Sequence, residues 1–404
     1  MDFDIQTWIR AAALLGGGIA IGFGAIGAAI GEGYTASMAN WAISQNIKTS
    51  GDIIKTMLVG QAIAESSSIF ALVIAIILLF TDFGAGSFVT VCGILGAGLS
   101  MGLGAIGSGI GAGLPAAGAC MAKAQRPEMS GRLMTNMLVG SAVCQTPAIF
   151  ALVIAIMLLF MKFPTTSPLK AVALLGAGLC MGFGAIGSGL GSGFAGKESC
   201  LGTARQPEMA GQLTTTMLIG SAVCQTPAIF AIVVSLMLIF IDFGNAPFYP
   251  TWAAFLGAGL STGLAAIGSG YGGGLAAGAS CEGIARQPQS VGTVITAMLV
   301  GQAVAQTASI FGLLISFILM FKTYPESMAL SASMALLGAG ISMGFGGIGP
   351  GIGNGMAAQG AVKWVARNLE HSGDLIRTML VGQAVSQSTA IYAMVVSLVL
   401  IFVL

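Results

Sequence analysis

The sequence repeats itself along its whole length, and this repeat constrains the fold more than any other feature. A four-residue string beginning at Met57 recurs at spacings of 80, 80, 81 and 81 residues. Its copies run from Met57 to Gly60, Met137 to Gly140, Met217 to Gly220, Met298 to Gly301 and Met379 to Gly382. A direct repeat that fills the chain indicates one structural unit present five times.

Each unit contains two long apolar stretches joined by a short polar segment. In the first unit they run from Gly16 to Ala42 and from Ile53 to Phe80. A membrane-spanning helix needs about 20 apolar residues. We therefore predict an all-α membrane protein of five tandem two-helix hairpins, ten transmembrane helices in all. The expected hairpins are residues 1–83, 84–163, 164–244, 245–325 and 326–404.

The composition excludes several other classes of protein. Of the 404 residues, 56% are apolar and only 7% are charged, whereas a soluble domain carries about 25% charged residues. The net charge of +1 argues against nucleic-acid binding, which needs a basic surface. The seven cysteines lie mostly in apolar runs and do not form a disulfide pattern.

The first helix of each unit is rich in glycine. In the second unit, glycine occupies positions 102, 104, 107, 109, 111 and 113. No strand precedes this run, so a dinucleotide-binding loop is a poor interpretation. Glycine lets membrane helices approach closely, which favours an inner ring of first helices. The bulkier second helices, with Ile69, Phe70, Leu78, Leu79 and Phe80, are expected to form the outer layer facing lipid.

Basic residues predict the orientation. We count 11 of the 15 Lys and Arg residues around the turns inside the hairpins. The other four are Arg10, Lys162, Lys170 and Lys322. The positive-inside rule places the turns in the cytoplasm and both termini on the outer side of the cell membrane.

Two carboxylates lie deep in apolar sequence, Glu32 in the first helix and Glu65 in the second. Each is 16 or 17 residues from the middle of the turn, roughly 25 Å along a helix, so the two share one level near mid-membrane. Intramembrane carboxylates are costly and are functional candidates by default. With the Ser66 hydroxyl and a backbone carbonyl they form an all-oxygen set suited to Na⁺, or to protons in its absence.

The other four units lack these charges. The position of Glu65 is occupied by Gln145, Gln225, Gln306 and Gln387, and that of Glu32 by Ala112, Ser192, Gly273 and Asn354. A glutamine can replace the hydrogen bonds of a protonated glutamate but cannot balance a cation. We therefore expect one competent ion site per chain.

This arrangement resembles the proteolipid, or c-type rotor protein, of rotary ATPase rotor rings, in its F-type form and over nearly the whole chain. The motifs are the glycine-rich first helix, the segment from Gly60 to Ser66, and the turns Arg205-Gln206-Pro207 and Arg286-Gln287-Pro288. The resemblance implies a non-catalytic subunit in which Glu65 carries Na⁺ or H⁺ past the stator a subunit. It also implies that the turns, including Arg126 and Arg367, contact the central stalk.

The resemblance further implies the ligands. Glu32, Glu65 and Ser66 fit a two-carboxylate sodium site, and the carbonyl of Ile63 is expected to join them. Phe70 stands where many sodium-type rings have a tyrosine, which Tyr392 retains in the fifth unit. Na⁺ or H⁺ is the only cofactor expected, with no organic group, and the choice between them stays open.

One site per five hairpins implies few ions per turn, and hence ATP-driven pumping rather than synthesis. The partners expected are further copies of the chain in a homo-oligomeric ring, or single-hairpin proteolipids in a mixed ring, and membrane lipid. The alternative function is a structural ring or pore scaffold with vestigial ion binding. A secondary transporter is disfavoured because such proteins use inverted repeats, and the sequence has no motif of an independent enzyme.

Overall fold

The computed structural model describes residues 4–84, 86–163, 166–242, 246–326 and 328–402. All regular secondary structure among the described residues is helical, and these residues contain no strand. The helices are α1 (Ile5–Gln45), α2 (Ser50–Phe80), α3 (Phe88–Gln125), α4 (Ser130–Phe160), α5 (Pro168–Arg205), α6 (Ala210–Phe240), α7 (Phe248–Arg286), α8 (Val291–Ala305), α9 (Thr307–Phe321), α10 (Leu330–Arg367) and α11 (Ser372–Phe402). Gln306 separates α8 from α9, which together form one spanning segment.

The described residues contain ten segments long and apolar enough to cross a membrane, which confirms the predicted five hairpins. The hairpin boundaries remain predictions, and residues 164, 244 and 245, at two of them, lie outside the described part. We call α1, α3, α5, α7 and α10 the inner helices and the other helices the outer helices.

A short turn reverses the chain inside each hairpin. In three of the turns a proline follows the inner helix after one intervening residue: Pro127, Pro207 and Pro288 each open a single turn of 3₁₀ helix. The residue before each proline has non-helical backbone, as at Arg126 with φ −139° and ψ 76°, which agrees with the preference against helical backbone at that position. The other two turns have the same geometry at Asn46 and Asn368 without proline.

The inner helices pack side by side in chain order. Their backbones are in direct contact: a Cβ built on Gly107 would lie 2.0 Å from the Ile186 carbonyl oxygen, and one on Gly187 would lie 2.0 Å from that of Ile267. No larger residue fits at these positions without moving a helix. The glycines therefore serve helix packing, as predicted.

Each outer helix packs against its own inner helix and against neighbouring outer helices. Ile69 and Phe80 are exposed on the outside as expected, whereas Leu78 is fully buried. Leu78 is buried because it contacts the inner layer, where a Cβ on Gly16 would touch its side chain at 3.4 Å. Of the seven cysteines, all are free and six are buried.

The inner helices curve around a common side. On α5, Leu175, Leu179, Phe183, Ile186 and Leu190 are only partly buried and form one stripe. Near the end of this stripe, Lys197 Nζ donates a hydrogen bond of 2.8 Å to the Tyr34 hydroxyl. These residues belong to the third and first hairpins, so α1 and α5 approach each other in front of α3. The stripe therefore lies on the concave side of an arc.

The arc ends at α1 and α10, each of which has one inner helix as a close neighbour. The face of α1 that points away from α3 carries Gly18, Gly22 and Gly33, each with nothing within 4 Å of an added Cβ. On α10, Gly349 is open in the same way. The exposed faces of α1 and α10 thus correspond to helix faces that contact a neighbouring inner helix elsewhere in the chain.

Candidate ion site

The glutamines at the Glu65 position bind the hairpin that precedes them. Gln145 Nε2 donates to the Ile63 carbonyl at 2.9 Å, Gln225 Nε2 to that of Val143 at 2.9 Å, and Gln306 Nε2 to that of Val223 at 2.8 Å. We call the interface between consecutive hairpins a seam. Three of the four seams within the chain are thus linked by an amide–carbonyl hydrogen bond.

The fourth seam, between the last two hairpins, differs. Asn354 Nδ2 donates to Gln387 Oε1 at 2.6 Å and, more weakly, to the Val304 carbonyl at 3.4 Å. Asn354 and Gln387 occupy the positions of Glu32 and Glu65 in the fifth hairpin. Their contact shows that the side chains at these two positions meet within one hairpin, at one level, as predicted from their distances to the turn.

The first hairpin places its two carboxylates at these positions. Glu32 on α1 and Glu65 on α2 stand where Asn354 and Gln387 meet in the fifth hairpin. Glu65 is exposed on the open end of the arc, on the side where the glutamines of the later hairpins contact the preceding hairpin. The Ser66 hydroxyl lies next to it and donates to the Ala62 carbonyl at 3.2 Å.

A second glutamine fixes the backbone beside this pair. Gln61 Nε2 donates to the carbonyl of Glu32 at 3.1 Å. Its equivalent Gln302 makes the same bond to Gly273, at 2.9 Å, and another to Gly220 of the preceding hairpin, at 3.0 Å. Gln61 is a site residue that the sequence analysis missed. The recurrence of glutamine at this position in the first, fourth and fifth units was the available signal.

The Glu32 position also points at the preceding hairpin. A Cβ built on Gly273 would lie 3.5 Å from Cys224 Sγ and 3.9 Å from Gln302 Nε2. Cys224 immediately precedes Gln225, and the residue at this position in the fifth hairpin is Ser386. The hydroxyl of Ser386 therefore stands on the uncovered end of the arc, a feature that the sequence analysis also missed.

The Ile63 carbonyl is not directed toward the Glu65 side chain. It accepts the hydrogen bond of Gln145 at 2.9 Å and so serves the seam that follows the first hairpin. Ile63 contributes its carbonyl to Gln145 of the following hairpin. The residue of the fifth hairpin that corresponds to Ile63 is Val385, at the far end of the chain, and its carbonyl is the one equivalently placed for Glu65. Within one chain the Glu65 site therefore lacks one side.

Among the described residues, no three His, Cys, Asp or Glu side chains cluster as metal ligands. Within one chain, the oxygen atoms beside the carboxylate pair are those of the Ser66 hydroxyl and of the backbone. Such oxygens suit a hard cation, whereas soft thiolate or imidazole ligands would be needed for most transition metals. The donor set therefore fits Na⁺.

The turns form a separate polar region, at the ends of the helices where each inner helix connects to its outer helix. Arg126 pairs with Glu128 at 3.3 Å, and Arg367 stacks on Trp364 with its guanidinium 4.8 Å from the ring centre. Arg286 pairs with Glu282 at 3.0 Å, which also binds Lys363 at 3.1 Å. The other residues predicted to contact the stalk, Arg205, Gln206, Pro207, Gln287 and Pro288, lie in the same turns.

Comparison with known proteins agrees with this architecture. The family of ATP synthase C subunits matches five times, at residues 15–78, 95–158, 175–238, 256–319 and 337–400. The chain is 32% identical over 226 residues to the K subunit of the A-type ATP synthase of Methanocaldococcus jannaschii, a match covering 55% of this chain and 94% of that protein.

Shorter relatives match a single hairpin. The ATP synthase c subunit of Thermotoga petrophila is 48% identical over 67 residues, 17% of this chain and 79% of its own length. That of Petrotoga mobilis is 51% identical over 68 residues, 17% of this chain and 71% of its own length. With five matching segments spread over most of its length, the chain belongs to the family of ATP synthase C subunits, as a fused form of five hairpins.

Proposed function

We propose that this chain is the rotor-ring subunit of a rotary ATP synthase or ATPase in which Glu65, with Glu32 as its partner, carries Na⁺ past the stator a subunit. Protons take the place of Na⁺ when it is absent. The observation that supports this proposal is the contrast between the hairpins. Neutral amides occupy the Glu65 position at all four internal seams, and only the first hairpin offers carboxylates at both site positions.

Copies of the chain join end to end, with α10 of one copy against α1 of the next. This contact, which we call the junction, repeats the relation between consecutive inner helices and covers the open glycine faces at Gly18, Gly22, Gly33 and Gly349. Because the two joining faces differ, the contact is heterologous and closes into a ring. A mixed ring that includes single-hairpin proteolipids is the alternative assembly.

The junction also completes the ion site. The preceding copy supplies the Val385 carbonyl to Glu65, in place of the Ile63 carbonyl expected from the sequence. It supplies the Ser386 hydroxyl to Glu32 and the Gly382 carbonyl to Gln61 Nε2, as Gly220 does for Gln302. The site then has two carboxylates, the hydroxyls of Ser66 and Ser386, and a carbonyl. Two carboxylates so close together cannot both stay ionised without a cation, which favours Na⁺ as the cargo.

The number of ions per turn equals the number of chains in a ring of this protein alone. One elementary charge crossing 100 mV carries about 2.3 kcal/mol, so few sites supply little free energy per turn for ATP synthesis. The same rotor driven by ATP can move its few ions against a steep gradient. We therefore place this protein in an ATP-driven ion pump.

The turns face the cytoplasm and the central stalk, and both termini face outward across the cell membrane. The excess of basic residues around the turns supports this orientation. Arg126, Arg205, Arg286 and Arg367 present the charges available to proteins of the stalk. Membrane lipid surrounds the outer helices, where Ile69 and Phe80 are exposed.

The experiment is carboxyl labelling of the purified ring with a carbodiimide, with and without NaCl, followed by mapping of the modified residue by mass spectrometry. We expect labelling at Glu65 that Na⁺ suppresses and that is lost in Glu65→Gln. The matched variant Glu32→Gln keeps Glu65 but weakens suppression by Na⁺. Labelling that depends on pH and ignores Na⁺ would assign the site to protons. No labelling at Glu65 under any condition would refute the single-site rotor.

A structural scaffold with vestigial ion binding is the second candidate, and the four neutral hairpins favour it. Reconstituted complexes separate the two functions. A scaffold would assemble normally in the Glu65→Gln variant and leave ATP-driven ion transport intact. A rotor would assemble and lose transport.

A further inference from the structure

The four internal seams share one close contact, in which a glycine of one inner helix meets a backbone nitrogen of the preceding inner helix. Glycine stands there in each following hairpin, as Gly109, Gly189, Gly270 and Gly351. A Cβ built on Gly109 would lie 2.5 Å from the backbone nitrogen of Ala28, and one on Gly189 would lie 2.6 Å from that of Ser108. The values at Gly270 and Gly351 are both 2.5 Å. Real Cβ atoms do not approach backbone this closely, so each internal seam requires a glycine.

The first hairpin breaks this pattern, because Ala29 occupies the equivalent position. Within one chain this alanine is exposed on α1, on the face that includes Gly18, Gly22 and Gly33. Ala29 contacts another inner helix only at the junction, where α10 of another copy packs against α1. The face of α1 that joins the ring thus keeps its other glycines and carries a methyl group at this close contact.

The opposite side of the junction is altered at the same point. The residues that face Gly109, Gly189, Gly270 and Gly351 are Ala28, Ser108, Ser188 and Ser269. Their equivalent on α10 is Pro350, whose ring adds a carbon to the backbone nitrogen. At the junction, therefore, both partners carry an extra carbon where the internal seams bring a bare glycine against a backbone nitrogen.

From these two differences we propose that the junction between copies is held wider than the internal seams, with Ala29 and Pro350 as positioning residues for the ion site. This inference rests on the proposed assembly of copies end to end. With the spacing of an internal seam, the Ala29 Cβ would lie about 2.5 Å from the Pro350 nitrogen, so at the junction this distance must rise to at least the 3.4 Å of an ordinary van der Waals contact.

The wider spacing falls beside the carboxylates. Ala29 lies three residues before Glu32, about one helical turn away. At the closed seams, the Glu32 position holds only small or medium side chains, and Ala112, Ser192 and Asn354 there are almost completely buried. Two glutamates together with a cation need more volume than the side chains at a closed seam occupy. The widened junction provides that volume at the one interface where the carboxylates lie.

The test is an electron cryo-microscopy structure of the ring, for the natural chain and for Ala29→Gly. We expect the backbones of α10 and α1 in the natural ring to lie about 1 Å further apart at this contact than the backbones at the four internal seams, because the Ala29 methyl group must reach an ordinary van der Waals distance. In Ala29→Gly the junction narrows, and the Na⁺ concentration that half-suppresses carbodiimide labelling of Glu65 rises. Ala142→Gly, on the exposed side of α4, controls for the helix propensity of glycine and changes neither value.

Two results would overturn the proposal, and they are distinguishable. A ring of this chain alone whose junction matches its internal seams, or an Ala29→Gly ring with unchanged junction and unchanged Na⁺ suppression, refutes the positioning role and leaves the rotor function standing. Single-hairpin proteolipids between the copies would show that the junction does not exist, and would refute the assembly on which the inference rests.

Discussion

The structure identifies Gln387 as the position at which a second working ion site can be built. Gln387 differs from the other three glutamines because its Nε2 has no hydrogen-bond partner in the described part of the chain. Its Oε1 already accepts a hydrogen bond of 2.6 Å from Asn354 Nδ2. The substitution Gln387→Glu therefore removes no hydrogen bond. It converts a neutral bond, worth about 1 kcal/mol, into a charge-assisted one roughly twice as strong.

The matched variant is Gln225→Glu. Gln225 Nε2 donates to the Val143 carbonyl at 2.9 Å, so the substitution places two acceptor oxygens against each other. An unsatisfied buried acceptor costs about 1–3 kcal/mol. We expect carbodiimide labelling and Na⁺ suppression at position 387 in the first variant. In the second variant we expect a less stable ring and no Na⁺-suppressible labelling at position 225.

The functional readout is the membrane potential at which ATP-driven transport stops in proteoliposomes, followed with a voltage-sensitive dye. In Gln387→Glu each chain carries two ions per turn instead of one. Each ion costs about 2.3 kcal/mol per 100 mV, so the same free energy per turn balances half the limiting potential. An unchanged limiting potential with clear labelling at position 387 would refute the reasoning that carboxylates set the ion count.

Three further predictions concern the seams and the helix ends. Gly189→Ala should destabilise the ring by about 1–3 kcal/mol through overpacking, measured as a lower dissociation temperature, whereas Gly131→Ala, which meets nothing within 4 Å, should leave that temperature unchanged. Gln225→Leu should lower the dissociation temperature through loss of its bond to Val143, worth about 1 kcal/mol, while ion transport per turn stays the same; a change in ion number would contradict a purely structural role. Lys170→Met should fray the end of α6, seen as faster hydrogen exchange at its last residues, because Lys170 Nζ binds the carbonyls of Leu238 and Ile241 at 3.3 and 3.0 Å.

The repeat and its apolar stretches were enough to predict the hairpins, and two distances to a turn were enough to place Glu32 and Glu65 at one level. What the sequence could not supply was the direction of contacts between hairpins. The family resemblance implies that the Ile63 carbonyl joins Glu65 at the ion site. In the structure that carbonyl accepts a hydrogen bond from Gln145 of the next hairpin. In the proposed ring, Val385 of the preceding copy contributes the carbonyl to Glu65, although the two residues are more than 300 positions apart in sequence.

For some side chains, the sequence pattern indicates one role and gives no sign of a second role that depends on packing. Lys170 was counted as a charge that orients the chain in the membrane, whereas the structure shows it capping the carbonyl end of α6. Ser386 looked like one of many small residues in an apolar helix. The role proposed for its hydroxyl at the ion site depends on the position of α11 at the end of the arc, which the sequence pattern does not indicate.

In the proposed ring, the covalent order of the hairpins sets the timing of ion binding as well as its stoichiometry. In a ring closed by copies of this chain, consecutive carboxylates are separated by the full circle divided by the number of copies, and four amide-bearing hairpins follow each one. The stator meets a charge only once in each interval. Torque from ion binding is then delivered in widely spaced pulses, and the elasticity of the shaft must carry the rotor across the neutral stretch between them.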